Sequence, residues 1–273
     1  MSTLTTFGST QESGSIDRVR GSLLAEWTKF RSLRANRVAL FTAFVSVVGI
    51  GIIVSAATVK GWDTASAADR AAFDPVAIGL SGGGLAQLII GVLGVLLISS
   101  EFSSGTIRST FAAVPDRRLV LASKTAVLAT VTFAVSLASA LAAFLISERI
   151  FDGKHLEASF SDPGVARAVI GGALYLTGAG VLGLAIASLL RHTAAAIGTL
   201  VAVLLVLPSL VGFLPGSLAH NVGRYLPSNA GSAVIKLNPD KWDMAPWTGL
   251  ALFFGYALAA LAVGAVMLRR RDV

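Results

Sequence analysis

AVIGGALYLTGAGVLGLAIASLL, residues 168–190, runs without one charged side chain, and its reading decides the fold. As a helix rising about 1.5 Å per residue, such a run crosses the roughly 30 Å hydrocarbon layer of a bilayer. No water reaches backbone N–H and C=O groups there, and a single segment satisfies them only by coiling into a helix. Five more stretches have the same character: 38–59, 78–99, 121–147, 194–214 and 246–268, with Lys124 at the mouth of the third. The chain reads as all-α, a polytopic membrane protein with six transmembrane helices.

Composition agrees. Hydrophobic residues make up 54% and charged residues 14%, with a mean hydropathy of +0.76. A soluble domain carries about 25% charged residues. The net charge of +7 would suggest nucleic acid in a soluble protein. Here it reads instead as the basic excess of cytoplasmic loops, with no nucleic acid among the partners. Cysteine is absent, which removes disulfides, thiol nucleophiles and thiolate metal sites. The first apolar run follows a charged segment and precedes five others, so it reads as a retained span and not a cleaved leader.

Topology follows from the basic residues. Arg18, Arg20, Lys29, Arg31, Arg34, Arg37, Arg108, Arg117, Arg118, Lys124, Arg191, Arg269, Arg270 and Arg271 fall on one side. The other side carries fewer basic residues than acidic ones. The positive-inside rule then puts both termini in the cytoplasm, as an even number of spans also requires. Trp27, Trp62, Trp242 and Trp247 all stand near span ends, where an interfacial ring belongs.

Residues 1–16 are rich in Ser, Thr and Gly and read as a disordered tail. Over 17–37, Val19, Leu23, Trp27, Phe30 and Arg34 recur at helical spacing, with Glu26 and Lys29 on other faces. This segment reads as an amphipathic interfacial helix with Glu26, Trp27, Lys29 and Arg31 at the lipid headgroups. A plain juxtamembrane stretch that only sets orientation is the alternative. The six-helix domain, 38–273, includes a polar loop at 100–120 and a long outer loop at 215–245. At that length the outer loop is expected to hold a short re-entrant or surface helix near 231–237.

No catalytic constellation is present. Gly79-Leu80-Ser81-Gly82 has the shape of an intramembrane serine protease motif, but His155, His192 and His220 all fall in loops or at span ends. There is no HExxH and no metal-ligand cluster. The span interiors lack the titratable relay that proton coupling needs. No phosphate-binding loop occurs either, since Gly153-Lys154 is followed by His155. The glycines of spans two and four (Gly91, Gly94, Gly178, Gly180 and Gly183 among them) read as close-packing faces, a substrate path being the alternative. Pro208 is expected to kink span five.

The polar loop between spans two and three is the distinctive one. Glu101-Phe102-Ser103-Ser104-Gly105-Thr106-Ile107-Arg108-Ser109-Thr110-Phe111 leads through a helix-like stretch to Pro115, Arg117-Arg118 and Lys124. Phe102, Ile107, Phe111 and Val114 are expected to offer apolar side chains to a docking partner. A plain loop carrying orientation charges is the alternative.

The order acidic residue, Gly-Thr pair, Pro, basic pair and Lys at the next span resembles the coupling-helix region of type-2 ABC exporter permeases. Glu26-Trp27-Thr28-Lys29-Phe30-Arg31 is similar to the start of actinobacterial members, and Leu226-Pro227-Ser228-Asn229 to an outer-loop segment there. The resemblance implies a permease without an ATPase motif of its own. It would work as a homodimer or heterodimer with separate ABC ATPase chains in a bacterial plasma membrane. No cofactor would bind directly, and the ATPase would hold ATP and Mg. Glu101, Phe102, Gly105, Thr106, Ile107, Arg108 and Phe111 would couple the two. A secondary transporter or channel, or a membrane scaffold without transport, are the competing readings.

Overall fold

A run that satisfies its own backbone need not look outward for partners, and every apolar stretch is a helix in the computed structural model. The structure describes residues 8–114 and 116–270, so the residues 1–7, Pro115 and 271–273 lie outside it. Helix α1 (Gly8–Ser32) turns at Leu33 into α2 (Arg34–Gly61), and two short helices, α3 (Ala67–Ala71) and α4 (Pro75–Gly79), lead to α5 (Gly83–Ser104). Then come α6 (Thr106–Ala113), α7 (Arg117–Asp152), α8 (Val165–Leu190) and α9 (Thr193–Val201). A π turn, Ala202–Val206, joins α9 to α10 (Leu207–Val211), and α11 (Gly216–Gly223), α12 (Pro227–Ser232) and α13 (Pro246–Arg270) complete the chain. Among the described residues there is no strand, and six helical segments are long and apolar enough to cross a membrane.

Helix α8, quoted at the outset, is the hub. Within its most apolar window 83% of the residues are buried, against 17% for the α9–α10 segment. It packs against α5, α7 and α13. The expected close packing of its glycines is what the structure contains. A Cβ on Gly94 would lie 2.0 Å from the Gly180 carbonyl oxygen, and one on Gly183 would lie 2.0 Å from that of Gly91. Backbone meets backbone at both crossings, which only a missing side chain allows. Gly178 is closed off by Phe253 and Phe254 of α13.

Several expectations are corrected by the packing. Span two begins at Gly83 and not at 78, because Asp74 caps α4 through the Ala77 N–H and Pro75 opens it as a separate helix. The turn after α4 then presses on α2, where a Cβ on Gly82 would meet the Ser46 carbonyl at 2.1 Å. Leu176, whose sequence alone would suit lipid as well as protein, is 4% exposed because α8 is packed against α5, α7 and α13. Helix α1 starts at Gly8, so residues 8–16, read as a tail, prolong a helix already nucleated downstream at little cost. Ahead of Pro208 the helix widens to π geometry, since proline offers no N–H to the carbonyl four residues earlier.

The long loop folds back into the bundle. Its helix is α12, a few residues before the expected 231–237. A Cβ on Gly231 would collide with the Tyr175 and Phe253 rings, and Val234 fills the space over Gly171. Tyr175 lies ten residues into α8, roughly 15 Å along its axis. Asp74 fastens the far end by accepting the Leu237 N–H at 2.6 Å.

Candidate functional site

The described residues show no constellation for covalent chemistry and no group of three metal-ligating side chains. Their most organised polar feature lies at the end of the bundle where α5 gives way to α6. Gly105 ends α5 and starts α6 with φ of +73°, a left-handed conformation that glycine reaches without strain. Helix α6 is therefore a separate short helix that changes direction from α5 at Gly105.

Four charged side chains clamp this corner. Lys124 of α7, 1% exposed, places its Nζ 2.6 Å from Glu26 Oε2 and 2.9 Å from Glu101 Oε1. Lys29 of α1 reaches Glu26 Oε1 and Glu101 Oε1, each at 3.2 Å, and donates to Thr110 Oγ1 of α6 at 3.2 Å. Two lysines and two carboxylates thus tie α1, α5, α6 and α7 together with no net charge. Burial lowers the Lys29 pKa, but the carboxylates of Glu101 and Glu26 outweigh it and leave the ammonium above its ordinary value. Buried charges persist only when paired in this way.

Arginines brace the rest. The Arg117 guanidinium lies 5.0 Å over the Phe111 ring and donates to the Leu268 carbonyl of α13. Arg191, at the end of α8, sits 5.4 Å over Phe102. Ile107 is 2% exposed, and Phe102 and Phe111 are half-buried against the core. Ile107 therefore faces the chain itself, and Phe102, Phe111 and Val114 do so in part, because a short helix beside a bundle buries its apolar stripe there first. What α6 exposes is polar or small: Thr106, Arg108 and Ser109, with Ala112 and Ala113.

On helix α1, Ser22, Glu26 and Phe30 face inward, while Val19, Leu24 and Trp27 are exposed. Glu26 and Lys29 are held in the clamp, and Arg31 is exposed. The apolar spacing alone hid this, since Glu26 turns inward only because Lys124 awaits it. Lys124 was the clue: it is the one charged residue inside an otherwise apolar stretch, and a lysine there needs a carboxylate.

The fold defines a class: an all-α, multi-pass membrane protein with a short, charge-clamped helix at one end of the bundle. Residues 22–209, more than half of the chain, match the ABC-2 family transporter protein profile. The chain belongs to that family, whose membrane proteins work with ABC ATPase partners and are generally not enzymes themselves. A comparison with curated proteins finds no match.

Proposed function

We propose that the protein is the transmembrane permease subunit of an exporter, moving its substrate across the cytoplasmic membrane on ATP hydrolysed by a separate chain. Two permeases, alike or different, would pair with two ATPases that hold the ATP and Mg. Both termini and the α6 corner would lie in the cytoplasm, in keeping with the basic residues gathered there. Reporters fused after Ser15 and Val273 should both read as cytoplasmic, and an external reading at either would overturn the orientation.

The observation that carries this reading is the clamped lever. Helix α6 turns on Gly105 yet is tied by Lys29 and Thr110 to α1, and through Glu101 and Lys124 to α5 and α7. A protein pushing on α6 would move α1, α5 and α7 with it. Glu101, Phe102, Gly105, Thr106, Ile107, Arg108 and Phe111 then divide the work. Thr106 and Arg108 meet the ATPase, Gly105 is the pivot, and Glu101, Phe102, Ile107 and Phe111 pass the motion inward.

Ala112→Asp tests this, because Ala112 is exposed on α6 and its replacement disturbs no internal contact. A carboxylate desolvated without a partner in the docked face is costly. Normal membrane levels, loss of co-purification with the partner ABC ATPase, and loss of export are expected. Retention of both co-purification and export would refute α6 as the docking element.

A further inference from the structure

At the end of the bundle opposite α6, α11, α12 and residues 236–244 enclose a polar cavity of about 280 Å³. Its walls include His220, Arg224, Asn229, Ser232, Lys236 and Trp242. One side is an aromatic platform, with the His220 and Trp242 rings stacked 5.2 Å apart and 7° from parallel. The only carboxylate lining the cavity, Asp243, is already engaged: its Oδ2 accepts from Lys236 Nζ at 2.7 Å and from the Asp240 N–H at 2.8 Å.

Arg224 is the unbalanced member. Its guanidinium lies 4.9 Å over the Tyr225 ring, no carboxylate among the described residues pairs with it, and its Nε–H is buried without an acceptor. A buried guanidinium N–H left without an acceptor is costly, and an oxyanion meets the guanidinium edge in bidentate fashion. Lys236, which gives one N–H to Asp243, keeps ammonium protons for a further contact, and Asn229 Nδ2, which gives one N–H to the Gly223 carbonyl at 3.0 Å, keeps another. A phosphoryl group presents more acceptor oxygens than a carboxylate and matches this wider set of donors.

We propose that this cavity binds a phosphoryl group, supplied either by a soluble phosphate ester or by the headgroup of an anionic lipid. Arg224 and Lys236 hold the phosphoryl oxygens, and the His220–Trp242 stack walls the adjoining organic portion. The site is independent of the exporter reading, since it would bind whether or not an ATPase docks at α6.

The test uses the purified full chain in a phosphate-free maltoside detergent. Inorganic phosphate and glycerol 3-phosphate are titrated by calorimetry, and phosphatidylglycerol retained through purification is counted by mass spectrometry. Saturable binding of either soluble probe, weakened at least about tenfold by Arg224→Gln, supports a soluble ligand. Retained phosphatidylglycerol that is lost from Arg224→Gln, without soluble binding, supports the lipid source. Lys236→Gln should weaken the same signal and serves if Arg224→Gln does not fold, while Arg70→Gln on an exposed helix should leave it unchanged. Absence of both signals from the native chain, or signals that either folded site variant leaves unchanged, overturns the proposal.

Discussion

Replacing Lys124 by Met removes one of the two cations from the clamp and keeps the length and apolar stem of the side chain. Glu26 and Glu101, with side chains only 5% and 12% exposed, would then share Lys29 alone, whose own side chain is 43% exposed. Removing one partner from a buried ion pair costs about 3–5 kcal/mol, mostly because the remaining charge is stranded. Lys29→Ala removes the same formal charge from a solvated position, where such pairs contribute about 0–1 kcal/mol. Lys124→Met should therefore destabilise the corner by about 3 kcal/mol more than Lys29→Ala. Adding Glu26→Gln to Lys124→Met restores neutrality and should recover much of the loss. Thermal unfolding in detergent, followed by protease cleavage within α1, measures both effects. Equal losses for Lys124→Met and Lys29→Ala, or no recovery in the double variant, would show that the clamp does not hold the corner.

Gly183→Leu should collapse folded yield, because its side chain would start 2.0 Å from the Gly91 carbonyl, whereas Ile170→Leu, at a 40% exposed position, should not; size-exclusion profiles compare the two. Gly105→Ala meets no atom within 4 Å, so its cost is conformational alone, about 1 kcal/mol, and Gly105→Asn should cost less, as unfolding midpoints will test. Lys29 has a folded pKa above its ordinary 10.5, so its tether is complete below that value and is lost only as pH rises through the folded pKa. Protection of α1 from protease should accordingly be flat from pH 7 to 9, and a decline within that window would contradict the pairing.

The sequence by itself determined the all-α class and the six spans. The spans depend on local character: a bilayer imposes apolarity on about twenty consecutive residues, whereas Gly105 ends α5 and Gly91, Gly94, Gly178, Gly180 and Gly183 continue their helices, so a glycine alone does not mark a break. The faces of those helices were decided only by the tertiary structure. Leu176 is apolar whether it meets lipid or protein, so its burial depends on the neighbours that surround α8. Ile107 could have served a partner equally well and instead fills the chain's own core. Glu26 and Lys124 are 98 positions apart, and no spacing rule joins them. Their meeting depends on α1 returning along α7, after which desolvation leaves each charge little choice but the other. The long loop before α13 is alike in this respect: Gly231 and Val234 look like ordinary loop residues until Tyr175, Phe253 and Gly171 close around them.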